Sequence, residues 1–289
     1  MARDVVRIDV TAPNAATLPK RVSYSQMSLY QQCGLKFFFN YLGGWKEPPS
    51  AALACGVITH EIIEQIYRLA PPERNVVNAL EIMRELGPQL MQKPEYQVFA
   101  NDNNVKHQIR DAVESLFEVE TPHELNVLPE HLEMDLNVEI NGVNFTGKVD
   151  RFTSNEVNRV TDYKTGRSPG KYVNDKLAQP YLYALAFKLQ YDIEVDELEL
   201  IYLNAKEVVR RDNDQAVMIS MGDKLAVMST DSQRDFAENA WDAKVQRLCD
   251  YCAFQEVCPA RNPNAAKPGS TESDSALREM GLTQRLRGA

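Results

Sequence analysis

The chain has 289 residues, 44% hydrophobic and 25% charged, the composition of a globular protein and not of a disordered or fibrous one. No run approaches the ~18–20 consecutive apolar residues of a membrane helix, and Met1 to Val10 hold no apolar signal-peptide core, so neither a membrane nor a secreted protein is expected. The 32 basic and 41 acidic side chains leave a formal charge of −9, so a nucleic-acid site has to be a local basic groove and not a basic surface.

Residues 1–22 read as an N-terminal arm or a single leading strand. Ser25 is placed as a helix N-cap in the segment that runs to Cys33, and Pro48-Pro49-Ser50 ends the apolar-aromatic patch of Leu35 to Tyr41. A helix is predicted over about 54–69, with Ile58, Ile62, Ile66 and Leu69 on one stripe and Gly56, His60, Glu64 and Tyr67 off it. Two more helices fit 75–86 and 103–119, punctuated by Gly87-Pro88, and make up a helical insertion over about 71–120. The period then changes to two: Met134, Leu136, Val138 and Ile140 alternate, Asn141-Gly142 turns, and Val143, Phe145, Gly147 and Val149 alternate again, which is a hairpin signal. A third strand fits 159–164, a helix 176–190 with Pro180 near its start, a fourth strand 198–203 and a fifth 216–220. A helix over 231–248 is expected to turn Phe236, Ala240, Trp241, Val245 and Leu248 inward, and 261–289 is expected to be flexible. The order helix, three strands, helix, strand implies an α/β fold with a central mixed sheet flanked by helices.

Gly147-Lys148-Val149-Asp150 ends the second hairpin strand in this reading, and the third carries Asp162-Tyr163-Lys164-Thr165-Gly166. Residues two apart on a strand share a face, so Asp162 and Lys164 project together, with Asp150 on the neighbouring antiparallel strand close enough to share a metal. Two adjacent carboxylates repel, and a hard divalent cation relieves that repulsion while leaving positions for water and phosphate oxygens. A neighbouring ammonium steadies charge developing on phosphate, which outlines metal-assisted phosphodiester hydrolysis. An Asp-x-Lys pair by itself is common; its partner Asp150 is what raises its significance.

These residues, with Gly56-x-x-x-His60 before them and Gln179-x-x-x-Tyr183 after them, resemble the RecB-type branch of the PD-(D/E)XK nucleases. The resemblance covers roughly residues 23–260 and implies the restriction-endonuclease-like core of that family. It implies His60, Asp150, Asp162 and the Tyr163 carbonyl as ligands of Mg²⁺ or Mn²⁺, Lys164 as the catalytic lysine, and Gln179 and Tyr183 as residues that place DNA and the lysine. It also implies a DNA exonuclease polarity from the 5′ end, a cytoplasmic setting in a bacterial, archaeal or phage-infected cell, and work alongside recombination, replication or CRISPR adaptation proteins. The residues leave pathway and oligomeric state open.

The five cysteines are an odd number, and Cys249, Cys252 and Cys258 form a C-x₂-C-x₅-C run suited to a soft metal or a cluster, with Cys33 as the candidate fourth thiolate. Iron–sulfur members of the RecB-like nucleases, including the Cas-four exonucleases, have one cysteine before the nuclease core and three after it. The same layout here implies a [4Fe-4S] cluster stapling the two ends of the nuclease region. Four thiolates suit a structural zinc equally well on chemistry alone. Cys55 reads as a small buried residue.

Arg167, Lys171, Tyr172 and Lys176 interleave basic and aromatic groups after the active strand, a pattern that suits a single-stranded DNA track, although a run of charge is commonly just a solvated face. Lys206, Arg210 and Arg211 come after the next strand. The competing reading is a non-catalytic single-stranded DNA-binding or adaptor module of the same fold, stabilised by zinc or a cluster.

Overall fold

The computed structural model describes residues 4–13, 16–168 and 170–285. Its elements are β1 (Asp4–Asp9), α1 (Tyr24–Gln32), α2 (Gly34–Phe37), β2 (Trp45–Lys46), α3 (Ala51–Arg68), α4 (Val76–Leu90) and α5 (Asn103–Val119). Next in the chain are β3 (Leu132–Ile140), β4 (Val143–Ser154), β5 (Asn158–Lys164), α6 (Val173–Lys176), α7 (Ala178–Tyr191), β6 (Glu197–Tyr202) and β7 (Glu207–Asp212). The last are α8 (Gln215–Glu238), β8 (Ala240–Val245), α9 (Thr271–Glu279) and β9 (Thr283–Gln284). The chain forms two compact units. One comprises Met1–Pro48, Glu139–Phe145 and Asp223–Ala289, and the other Pro49–Val138 and Thr146–Gly222.

The second unit holds the sheet, ordered β3-β4-β5-β6-β7; the tip of the β3–β4 hairpin counts with the first unit. The tip has the expected turn chemistry, with Asn141 at φ 49° and Gly142 at φ 79°. β5 pairs antiparallel with β4 and parallel with β6, and the parallel pair requires the crossover that α6 and α7 supply. Pro180 is the third residue of α7, inside the first turn, where its missing N–H costs nothing. On α3, Ile58, Ile62 and Ile66 are fully buried against Val105, Ile109, Val113 and Leu116 of α5. α3 starts earlier than the sequence suggests because the Ser50 side chain accepts the Leu53 N–H (3.1 Å), and it ends before Leu69. α4 runs through Gly87-Pro88 rather than stopping there.

The first unit pairs β1 with β8 and β2 with β9, both antiparallel. Phe37 stacks on Trp241 and Phe39 on Phe254, so the aromatic patch after Cys33 is core. The cap of α1 is Ser23 and not Ser25: Ser23 and Gln26 form a reciprocal capping box.

Three expectations fail in the tail half of the chain. The run 216–220 is the first turn of α8 and not a strand, and the fifth strand is 207–212, after a turn in which Lys206 takes φ 52°. The helix expected over 231–248 stops at Glu238, where Asn239 enters the left-handed region at φ 51°; β8 comes next, burying Trp241 and leaving Leu248 exposed. Within 261–289 the described residues are ordered by α9, capped by Ser270 with Leu277 fully buried, so this segment is not the flexible tail expected. Before α9, Gly269 (φ 79°) packs so closely that a Cβ there would lie 2.1 Å from the Thr11 carbonyl oxygen, and only glycine fits. Residues 1–3, 14–15 and 286–289 of the expected arm and tail lie outside the described residues; within the arm, 4–9 form β1.

Candidate active site

The second unit brings seven of the sequence-predicted residues together. The β4–β5 ladder pairs Arg151 with Thr161, so Asp150 and Asp162 are the next residues along it. Asp150 is therefore inside β4, which continues to Ser154, and does not end its strand. Asp150 Oδ2 accepts the Tyr163 backbone N–H (2.8 Å). From α3, His60 Nε2 donates to the Tyr163 carbonyl (2.8 Å) while its Nδ1 stands 3.4 Å from Asp150 Oδ2. Lys164, the last residue of β5, pairs with Asp162 Oδ2 (2.5 Å) and donates to Gln179 Oε1 (3.2 Å). Gln179 Nε2 in turn donates to the Tyr183 hydroxyl (2.6 Å), four residues along α7. Asp162, Lys164, Gln179 and Tyr183 thus form one continuous chain beside Asp150, Tyr163 and His60.

Burial and charge set the ionisation of this group. Burial would lower the His60 pKa, but the Asp150 carboxylate outweighs it and holds the imidazole up at about 9. Asp150 is subject to the raising effect of burial, yet His60, the Tyr163 N–H and Lys164 bring it below the usual carboxylate range. Asp162 goes the other way: burial, with Asp150 adding repulsion, raises it despite Lys164. Burial likewise disfavours the Lys164 ammonium, and Asp162 more than restores it. Close carboxylates, a lysine and partial burial together are the setting in which active-site pKa values are displaced.

Glu133 is the member that sequence reading missed. Each of His60, Glu133 and Asp150 can offer a ligand atom within 4.8 Å of the other two, and among the described residues they are the one such trio. Asp162 is not in it. Glu133 sits in β3 with φ 50°, a left-handed conformation costing roughly 1–2 kcal/mol for a residue with a side chain. Burial, then repulsion from Asp150, raises its carboxyl to about 7. A glutamate on a half-exposed strand carries no sequence signal that separates it from a solvated one.

Beneath these residues lies a second group that the sequence did not announce. The fully buried Arg151 guanidinium pairs with Glu120 (2.6 Å) and Glu199 (3.2 Å) and donates to the Tyr67 and Tyr163 hydroxyls (2.6 Å each). Tyr163 is therefore fixed at three points: hydroxyl, amide and carbonyl.

Arg167, Lys171, Tyr172 and Lys176 are exposed and stand apart from this hydrogen-bond network; Lys171 lies over the Tyr172 ring at 5.3 Å. Arg167 lines a groove with Cys55, Gln108, Asp111, Glu114 and Lys206. Of the basic side chains after β6, Lys206 pairs with Glu118, Arg210 pairs with Glu199, and Arg211 donates to the Arg210 carbonyl. Cys55 is buried, as expected. In the first unit, Cys33, Cys249, Cys252 and Cys258 line one cavity with Phe39 and Phe254. Cys249 lies in a short 3₁₀ turn, Cys252 and Cys258 each just after one, and Cys33 between α1 and α2.

A mixed α/β sheet presenting Asp150, Asp162 and Lys164 at adjoining strand positions is the framework of a metal-dependent nuclease. The family model of the PD-(D/E)XK nuclease superfamily matches residues 21–259, and the chain belongs to that superfamily. Nucleases of this superfamily use divalent metals, and the oxygen and imidazole donors of His60, Glu133 and Asp150 suit a hard or borderline cation. Among curated proteins none matches the chain. A solved structure, the crystal structure of SSO0001, is similar at 16% identity over 72% of this chain and 95% of that one, with a TM-score of 0.34, too low to establish a common fold. Among the described residues no helix is long and apolar enough to cross a membrane.

Proposed function

We propose that this protein is a divalent-metal-dependent DNA exonuclease of the RecB-like type, acting on single strands or strand ends. The observation that carries the reading is the unbroken Asp162–Lys164–Gln179–Tyr183 chain set against Asp150, His60 and the Tyr163 carbonyl. Asp150, His60 and Asp162, with the Tyr163 carbonyl, would hold Mg²⁺ or Mn²⁺, which supplies Lewis acidity toward the scissile phosphate and toward water. Lys164 presents an ammonium to the charge that develops on the phosphate, and Gln179, braced by Tyr183, fixes where that ammonium points. Arg167, Lys171, Tyr172 and Lys176 would track the strand, their exposure leaving them free to meet phosphates and bases. The polarity proposed, from the 5′ end, comes from the resemblance alone, as does a place in recombination, replication or CRISPR adaptation.

The test is a cleavage assay on 5′- and 3′-labelled single-stranded, blunt and overhanging DNA, with Mg²⁺, Mn²⁺ or EDTA. Progressive metal-dependent shortening of single strands from the 5′ end is expected. Intact DNA with every substrate and metal would leave the binding-module reading in its place.

We further propose a structural [4Fe-4S] cluster held by Cys33, Cys249, Cys252 and Cys258. The support is that these four thiols line one cavity, while the fifth cysteine belongs to the other unit. Burial raises the Cys252 and Cys258 thiols, so a metal that takes thiolates must offset that cost. By analogy with a disulfide, joining positions 33 and 249 removes loop-closure entropy worth about 5 kcal/mol. Anaerobically prepared protein is expected to be brown, with a broad absorbance near about 400 nm. Cys252→Ala should lose the colour and melt at a lower temperature. Colourless wild-type protein carrying only zinc would refute the cluster.

A further inference from the structure

We propose that Glu133 is itself a ligand of the divalent cation, with His60 and Asp150, and that Lys148 competes with the cation for the Glu133 carboxylate. The inference deepens the nuclease reading and rests on its cation site.

Three observations converge on Glu133. Its carboxylate shares the trio in which every member offers an atom within 4.8 Å of the others. It also lines, with Glu64, His60, Asp150 and Tyr163, a small cavity within the second unit. Its backbone is held in the left-handed region inside a strand, and such strain persists where neighbouring structure fixes a side chain for a task. The donors around it are already partly assigned. His60 Nε2 is occupied by the Tyr163 carbonyl, which leaves Nδ1 as the imidazole donor on the Asp150 side. Asp162 Oδ2 is paired with Lys164 and Asp162 lies outside the trio, so Glu133 joins Asp150 as a further carboxylate ligand beside the Asp162 position proposed above.

Lys148 Nζ lies 3.6 Å from Glu133 Oε2, and its side chain is half exposed. An exposed pair at that separation is weak and easily exchanged. A dication binding the Glu133 carboxylate competes with Lys148 for the same oxygens, so the lysine opposes cation binding and swings away when it occurs. A purely structural Glu133–Lys148 pair predicts no such antagonism.

The test is Mn²⁺ titration by calorimetry on the full chain without DNA, for wild type, Glu133→Gln, Lys148→Gln, Asp150→Asn and Asp135→Asn, each checked for fold by circular dichroism. Glu133→Gln is expected to weaken Mn²⁺ binding at least 10-fold. Lys148→Gln is expected to tighten it about two- to five-fold by removing the competing charge. The exposed neighbour Asp135→Asn should leave it unchanged. Wild-type affinity in Glu133→Gln, with binding abolished in Asp150→Asn, would overturn the role of Glu133 and leave the nuclease reading standing. If Glu133→Gln fails to fold, Lys148→Gln decides: unchanged or weaker binding there also overturns the proposal. Wild-type protein that binds no Mn²⁺ overturns it as well. Protein that binds Mn²⁺ with the expected pattern but cuts no DNA would sink the nuclease reading alone.

Discussion

Lys164→Ala is expected to lower the rate of metal-dependent DNA cleavage about 10²–10³-fold or more, the loss typical when one donor aimed at developing charge is removed. The ammonium is the positive group that the β5 end contributes directly, and two side chains hold it, Asp162 at 2.5 Å and Gln179 at 3.2 Å. A group pinned in this way loses little entropy when the phosphate charge develops, so its effect falls on the rate and not on DNA affinity. Lys164→Arg should rescue little, because a planar fork does not fit where a compact point charge is held between one carboxylate oxygen and one amide oxygen. Gln179→Ala leaves the charge and removes only its brace, and a smaller loss, about 10-fold, is expected. The variants should keep the wild-type circular dichroism. Lys164→Ala should nevertheless melt somewhat lower, since it strips the buried Asp162 of its cation. Single-turnover rates, with DNA affinity measured separately in Ca²⁺, check this. A Lys164→Ala rate equal to wild type would remove the assigned site.

The motif residues were legible in the sequence because the chemistry constrains residue type and the strand fixes spacing. Asp162 and Lys164 share a face by the period of two, and Gln179 and Tyr183 by a helical turn; both relations hold in the structure. Glu133 was not legible, since its placement depends on a left-handed backbone that no composition rule reveals at a glutamate. Nor was the Arg151 cluster: its partners Tyr67, Glu120, Tyr163 and Glu199 come from four separate elements or their ends, and only tertiary packing unites them. The errors of secondary structure have a common cause. Ala216-Val217-Met218-Ile219-Ser220 is a short apolar run, and Ala240 to Val245 comes after a helix without a proline, so periodicity alone cannot separate helix from strand at either place. The expected flexible tail was inferred from Pro, Gly and Ser content, but Leu277 buries completely and the Trp45 Nε1–H donates to Asp274 (3.3 Å), enough to order α9.

Arg151→Met is expected to destabilise the protein by about 3–5 kcal/mol, the cost of leaving a buried charge without its partner. Against a total stability of roughly 5–15 kcal/mol, that brings the variant close to unfolding. The charge count gives the reason. Arg151 and Arg210 together balance Glu120 and Glu199; Arg210 pairs with Glu199 at 2.6 Å, so losing Arg151 strands Glu120. Glu120 is held below the usual carboxylate range because Arg151, with help from the Tyr67 and Tyr163 hydroxyls, outweighs the raising effect of burial. Methionine fills the volume but offers none of this. Adding Glu120→Gln to Arg151→Met restores neutrality, so the double variant should recover part of the loss, a non-additivity that simple loss of packing does not produce. The damage should also reach the candidate site, because Arg151 fixes the Tyr163 hydroxyl while the same residue's N–H and carbonyl engage Asp150 and His60. Urea denaturation followed by circular dichroism measures both variants. A single variant within 1 kcal/mol of wild type, by the measure of an exposed ion pair, would mean that the buried guanidinium is not what holds Tyr163 and its neighbours in place.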